Sequence, residues 1–146
     1  MKSLVIYASR SGNTRRIAEA IADGLRPGGP VELQSVEEAP SAIPPDVDLV
    51  IIGGPTEAHG MTPPVKEFLA RLAPDALKGR RAAGFDTRLH LPVVFSGSAA
   101  AGITRRLRAL RANVVAREES FFVAKGPELE PGEVERATAW AAGLAA

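Results

Sequence analysis

The chain has no cysteine, only two histidines and few aromatic side chains. The lack of cysteine excludes disulfides, thiolate metal sites and a cysteine nucleophile. His59 and His90 alone are too few for a typical zinc site. No apolar run approaches the ~20 residues that cross a bilayer, so we expect no contact with a membrane. The apolar N-terminal run is too short for a signal peptide, so we expect a cytoplasmic protein.

Length and composition indicate an ordinary globular protein. The 146 residues are 45% hydrophobic and 24% charged, which predicts a single domain over residues 1–146 with a buried core. The formal net charge is +1. Such a small excess predicts no nucleic-acid partner, because that class of protein usually carries a strongly basic surface. Arginines cluster within residues 105–111, where we expect the solvated face of an amphipathic helix.

Short apolar runs alternate with segments of helical periodicity along the chain. Helices are predicted after the first, third, fourth and fifth strands, with at most a brief helix after the second. Residues 87–98 are expected to form a loop. The alternation predicts an α/β fold, in which a doubly wound parallel sheet has helices on both faces. The predicted strands cover residues 4–8, 31–34, 48–54, 81–86 and one or two pieces within 113–124.

The turn after the first strand is rich in hydrogen-bonding side chains. It reads Ser9-Arg10-Ser11-Gly12-Asn13-Thr14 and leads directly into the first predicted helix. Free backbone N–H groups and the helix dipole favour an anion at such a position, and hydroxyls can donate to phosphate oxygens. Helix capping is the alternative explanation. Capping needs one such side chain, however, and this turn offers four, so we predict a phosphate site.

This turn carries a family resemblance. It matches the pattern T/S-x-T/S-G-x-T at every fixed position, and it is similar to the phosphate loop of the flavodoxins, as are the element order and the chain length. The resemblance implies a five-stranded parallel sheet of order 2-1-3-4-5. It also implies that Ser9, Ser11, Gly12, Asn13 and Thr14, with Arg10 beside them, hold the phosphate of FMN.

Two further loops follow the third and fourth strands, where the resemblance implies contacts with the flavin ring. The first contains Pro55, Thr56, Glu57, Ala58, His59 and Gly60. Its only planar side chain is His59, which we expect either to lie against the ring or to be an ordinary surface histidine. Gly60 would permit the backbone rearrangement typical of the family. The second loop contributes Thr87 and has no tyrosine or tryptophan, and its Arg88 and His90 are expected to be exposed.

Two functional hypotheses result. The first is an FMN-binding redox protein, either an electron carrier with a redox partner protein or a small reductase acting on a quinone or nicotinamide. In this case the flavin does the chemistry, and no side chain is predicted to be catalytic. The alternative is a flavodoxin-fold module that has lost flavin and serves as a binding or regulatory domain. The absence of an outer aromatic residue and the pI of about 8.2 motivate it.

Overall fold

The computed structural model describes residues 1–145, which form a sheet covered by helices on both faces. The strands are β1 (Ser3–Tyr7), β2 (Val31–Ser35), β3 (Leu49–Glu57), β4 (Gly60–Met61), β5 (Arg81–Leu89), β6 (Asn113–Val114), β7 (Glu119–Ala124) and β8 (Glu128–Leu129). The helices are α1 (Asn13–Leu25), α2 (Pro63–Arg71), α3 (Val93–Ser96), α4 (Ala99–Ala109) and α5 (Glu133–Ala145). None of these helices is long and apolar enough to span a bilayer.

The central strands pair in parallel in the order β2-β1-β3-β5-β7, which confirms the predicted order 2-1-3-4-5. The short strand β8 continues the sheet antiparallel to β7, and β4 folds back on β3 as a hairpin. The chain leaves β1 toward β2 on one side, whereas β3 and β5 lie on the other. The strand order therefore reverses beside β1, and this is where ligands bind in open parallel sheets.

Each face of the sheet is buried by a pair of helices. On one face, α2 and α4 contribute Phe68 and Ile103 to a core with Leu4 and Ile6. On the other, the aliphatic residues of α1 and α5 pack on Val5. Successive β1 residues therefore point into opposite cores. This explains the uninterrupted apolar run, because neither face of a strand that is buried on both sides contacts solvent.

The structure corrects several predicted boundaries. β3 and β5 extend past the predicted residues 48–54 and 81–86, because they pair with each other as far as Pro55 and Thr87 and their last residues pair with β4 and β7. The loop predicted over residues 87–98 contains the end of β5 and the short helix α3. No helix forms between β2 and β3 within the described chain, since prolines interrupt that segment. The fifth strand is split into β6 and β7, which both pair with β5.

Candidate functional site

A cleft of about 210 Å³ opens at the carboxyl edge of the sheet, beside the strand reversal. It brings together side chains that are distant in the sequence. The predicted site residues that line it are Ser11, Asn13, Pro55, Thr56, Glu57 and Thr87. The lining residues that the sequence did not predict are Arg88, Leu89, Val123 and Pro127. The other predicted residues lie in the same loops without lining the cleft; they are Ser9, Arg10, Gly12, Thr14, Ala58, His59 and Gly60.

Ser9 fixes the shape of the loop between β1 and α1. Its Oγ accepts hydrogen bonds from the backbone N–H of Gly12 at 3.1 Å and of Arg15 at 3.4 Å. Gly12 has a φ of +92°, a left-handed conformation that side chains disfavour. The loop therefore turns sharply into α1, and one of its hydroxyls is used to hold that turn.

The first turn of α1 offers unused donors. The backbone N–H groups of Ser11, Asn13 and Thr14 make no hydrogen bond within residues 1–145. Unsatisfied N–H groups at a helix start carry the positive end of the helix dipole, and this favours an anion there. The donor set of this loop fits a phosphate group, because it supplies several neutral N–H and O–H donors within a few consecutive residues at a helix start.

Thr14 and Thr87 share a buried hydrogen bond between their hydroxyl oxygens, 2.7 Å apart. Thr14 is 2% exposed and Thr87 is 4% exposed. Two hydroxyls carry two protons, and the bond between them uses only one. The second proton is therefore left to donate to a third acceptor beside the loop. This pair also links the start of α1 to β5, at the point where β5 enters the cleft.

Two contacts tie the β1–α1 loop to the other walls of the cleft. Asn13 donates from its side-chain nitrogen to the carbonyl of Pro127 at 3.2 Å. Arg10 forms an ion pair with Glu57, with 2.5 Å between Nη1 and Oε1. The Arg10 side chain is 74% exposed, so solvent screening leaves this pair a small contribution to stability.

The hairpin between β3 and β4 has a strained turn. Glu57 pairs with Gly60 across a two-residue loop, in which Ala58 and His59 have φ values of +48° and +67°. Such turns usually contain Asn-Gly, because side chains disfavour positive φ. The His59 backbone packs on Gly97, where an added Cβ would lie 2.2 Å from the His59 carbonyl oxygen. The His59 side chain is exposed, and its contact with a flavin ring stays a prediction.

Asp86 is a buried carboxylate that accepts several hydrogen bonds, and the sequence did not indicate this role. Its Oδ2 accepts hydrogen bonds from Thr56 Oγ1 at 3.0 Å, Ser98 Oγ at 2.8 Å and the Ala100 N–H at 3.0 Å. Thr56 Oγ1 also accepts from the Ala99 N–H at 2.8 Å. The carboxylate lies at the N-terminal end of α4, where the Ala100 N–H donates to it. The result is a rigid junction between the β3–β4 hairpin, β5 and α4.

Arg88 was expected to be exposed, and this was wrong. The side chain is half-buried because its guanidinium joins β5 to β7 and to the segment that follows β5. It donates to Ser120 Oγ at 2.9 Å, to the Leu91 carbonyl at 2.7 Å and to Ser96 Oγ at 3.1 Å. It also lies 5.1 Å from the centre of the Phe122 ring. Its hydrogen-bond partners are all neutral, so the guanidinium adds a positive charge to the cleft wall.

His90 is exposed, as expected, although its ring is held in place. It stacks on Phe122 with 3.8 Å between ring centres, and its Nδ1 lies 3.1 Å from a carboxylate oxygen of Glu130. His90 and Arg88 thus both contact the ring of Phe122 in β7. The end of β5 and the residue that follows it are therefore both held against β7.

A charged pair anchors β7, which supplies one wall of the cleft, to α5. The Glu133 carboxylate accepts from the Phe122 N–H at 2.7 Å and from Arg136 Nη2 at 2.7 Å. The hydrogen bond from Arg136 holds the pKa of Glu133 below its usual value, although burial opposes the shift. Arg136 also pairs with Glu119 at 3.1 Å.

The cleft thus combines neutral donors at one end with a partly apolar slot at the other. Residues 1–145 contain no group of three or more histidine, aspartate or glutamate side chains placed to hold a metal ion. No lining residue forms a nucleophile–base pair. The neutral donors of this arrangement can hold a phosphorylated molecule.

Comparison with known proteins agrees with this geometry. A model of the flavodoxin domain matches residues 4–92. A flavodoxin from Aquifex aeolicus (strain VF5) is 38% identical over 69 residues, which is 46% of this chain. The match spans only 37% of that relative's length.

Solved structures give the same result over nearly the whole chain. A flavodoxin from the domain Archaea superposes with a TM-score of 0.85 at 22% identity, covering 99% of this chain and 96% of that one. Oxidised flavodoxin 1 from Bacillus cereus gives 0.78 at 26% identity, with 97% and 95% covered. The chain therefore belongs to the flavodoxin family, and this membership implies FMN as its cofactor.

Proposed function

We propose that the cleft binds FMN, with the phosphate in the β1–α1 loop and the ring between the β3–β4 hairpin and the end of β5. One observation carries the proposal: the N–H groups of Ser11, Asn13 and Thr14 lack partners within the described chain. Bound FMN supplies electron-transfer chemistry, and the protein holds and orients it. The protein would then act as an electron carrier between redox partner proteins.

The loop residues have different roles in this proposal. Ser9 holds the turn, and Ser11 and Thr14 present donors to the phosphate. Asn13 contributes its backbone N–H, since its side chain is bonded to Pro127. All these donors are neutral, so they bind the phosphate without bringing a positive charge close to the ring. Arg10 lies beside the loop in its ion pair with Glu57.

The ring end of the cleft supports a second candidate function. Its lining includes aliphatic Leu89 and Val123 but no aromatic side chain. A ring without an aromatic cover would be accessible to a small oxidant or reductant. A small flavin-dependent reductase acting on a quinone or nicotinamide is therefore the second candidate. Rapid reoxidation of the reduced, FMN-loaded protein by a soluble quinone, with repeated turnover, would favour it over the carrier.

The proposal is tested by titrating the protein with FMN and with riboflavin, which lacks the phosphate, and following the visible absorbance. We expect FMN to bind with a dissociation constant of about 1 μM or lower. Riboflavin should bind at least about tenfold more weakly, because each lost hydrogen bond to a charged group is worth roughly 1.5–3 kcal/mol. Equal affinities for the two ligands, or no binding of FMN, would contradict the phosphate site.

A double variant locates the effect. Ser11→Ala with Thr14→Val removes two hydroxyls while nearly conserving the shape of Thr14, and it should lower the affinity for FMN by about tenfold or more. Its affinity for riboflavin should change little. Ser41→Ala, at an exposed serine outside the site, is the matched control. A thermal melt of each variant separates loss of binding from loss of folding.

A further inference from the structure

An apolar strip borders the cleft. The segment that we call the apolar strip covers residues 89–96 and includes α3. Its large apolar side chains are Leu89, Leu91, Val93, Val94 and Phe95, which are 47%, 45%, 52%, 81% and 67% exposed. Only Leu89 lines the cleft. Apolar side chains exposed side by side mark interaction sites more often than single ones do.

The strip is held in place despite its exposure. Arg88 donates to the carbonyl of Leu91 within the strip and to Ser96 Oγ at its end. Immediately after it, Gly97 packs against the His59 backbone of the β3–β4 hairpin. The strip is therefore presented as a fixed surface, which lowers the conformational entropy lost when a partner binds.

The next helix along the chain, α4, carries charge of one sign. Residues 87–117 contain no aspartate or glutamate and six arginines. Four of them belong to α4 and the turn after it, and none of these four forms an ion pair or a side-chain hydrogen bond with the described residues. We call the two exposed ones inside the helix, Arg105 and Arg108, the α4 arginines, because Arg111 lies near the start of β5, where Asn113 pairs with Arg81.

The opposite face of the sheet shows the contrast. There, Arg15 pairs with Glu19, Arg26 pairs with Asp23, and Arg136 pairs with two glutamates. The uncompensated charge is therefore a local property of residues 87–117, since the net charge of the whole chain is only +1. A solvated helix face explains exposure of the arginines, but it does not explain why acidic residues are missing from the same stretch.

We propose that the apolar strip and the α4 arginines form one docking surface for an acidic electron-transfer protein. The partner would present an apolar patch to the strip and carboxylates to the arginines. Complementary charge would speed association, and apolar burial would prolong the complex. That the partner is a redox protein rests on the proposed function, because the strip borders the flavin cleft. A nucleic acid fits less well, because its phosphates offer no apolar patch to the strip.

Binding of defined probes tests the surface. The probes are an acidic [2Fe–2S] ferredoxin, a basic cytochrome c and a DNA duplex, each immobilised, with the protein applied both flavin-free and FMN-loaded. We expect binding to the ferredoxin that weakens about tenfold between 25 and 200 mM salt, because screening shortens the range of the charges. Binding to cytochrome c should be absent.

Three double variants assign the effect to residues. Arg105→Gln with Arg108→Gln should weaken ferredoxin binding about fivefold at low salt and less than twofold at high salt. Val94→Ser with Phe95→Ser should weaken ferredoxin binding by a similar factor at low and at high salt. Arg15→Gln with Arg26→Gln makes the same change in net charge on the other face of the sheet. This variant should change the affinity for ferredoxin less than twofold.

The outcomes separate the two proposals. A preference for cytochrome c, tighter binding to DNA than to ferredoxin, or an equal loss in the Arg15/Arg26 variant would overturn the docking surface. FMN binding without salt-dependent ferredoxin binding would overturn it while leaving the proposed function intact. Ferredoxin binding by a protein with no affinity for FMN would overturn its role in electron transfer.

Discussion

The two ends of the cleft are built in different ways. The phosphate end is one stretch of six residues, Ser9 to Thr14, whose donors come together because a single turn leads into a helix. The ring end is assembled from the hairpin, the end of β5 and the β7–β8 turn, which are far apart in the sequence. Chemistry at the first end is therefore local, whereas the second end depends on side chains that join separate segments.

The joining side chains at the ring end are charged. Asp86 connects the hairpin to α4, and Arg88 connects β5 to the apolar strip and β7. Each is surrounded by neutral partners. Removing such a side chain lowers stability strongly, because every lost hydrogen bond leaves another polar group without a partner. Variants at the ring end should accordingly affect stability, and variants at the phosphate end should mainly affect the choice between FMN and riboflavin.

The largest effect is expected for Asp86→Ala. It leaves the donors of Thr56, Ser98 and Ala100 without their shared acceptor, and it should lower the free energy of unfolding by about 3 kcal/mol or more. Urea unfolding followed by circular dichroism measures this. Asp75→Ala, at an exposed aspartate, should cost less than about 0.5 kcal/mol. An equal loss of unfolding free energy in the two variants would show that the hydrogen bonds to Asp86 do not stabilise the fold.

Arg88→Met is expected to have the next largest effect. Methionine keeps much of the apolar stem but frees the strip from β5, and the unfolding free energy should fall by about 2 kcal/mol. FMN and riboflavin should lose affinity by similar factors, because the changed wall contacts the ring end. Arg10→Met, which removes an exposed ion pair, is the control and should change stability by less than about 0.5 kcal/mol. A selective loss for FMN would contradict the separation of the two ends.

The difference between the two ends also explains what the sequence could predict. The element order, the sheet order and the loop at Ser9–Thr14 follow from periodicity and from a contiguous motif. The extra length of β3 and β5 arises from pairing with each other and with β4 and β7, which no single segment shows alone. Asp86 and Arg88 act through Ser98 and Ser120 in later elements, so no local pattern reveals them. The one feature in the sequence that could have indicated Asp86 is its place at the end of a predicted strand, 81–86.

A smaller effect, and a stabilising one, is expected in the hairpin turn. Ala58→Asn with His59→Gly places the residues preferred at positive φ into this two-residue turn, and it should stabilise the protein by about 1 kcal/mol. Thermal and urea unfolding measure the change, with Ala58→Asn alone as the control. If His59 lies against the ring, the double variant should bind FMN more weakly than the control although it is more stable. Unchanged FMN affinity would leave His59 as a surface residue.

The smallest effect concerns pH and the wall formed by β7. The pKa of Glu133 lies below its ordinary value of 4.5, because the carboxylate is bonded to Arg136 and to the Phe122 N–H. Its contribution to stability is therefore complete above about pH 4.5 and is lost as the pH falls through the lower pKa of the folded protein. Arg136 is 37% exposed, so solvent screening should limit this contribution to about 1 kcal/mol or less. Glu133→Gln should flatten the fall in the unfolding free energy between pH 5 and about pH 3, and Glu135→Gln in the same helix should not. An equal slope in the Glu133 variant and the wild type would mean that other carboxylates control the response of this wall to acid.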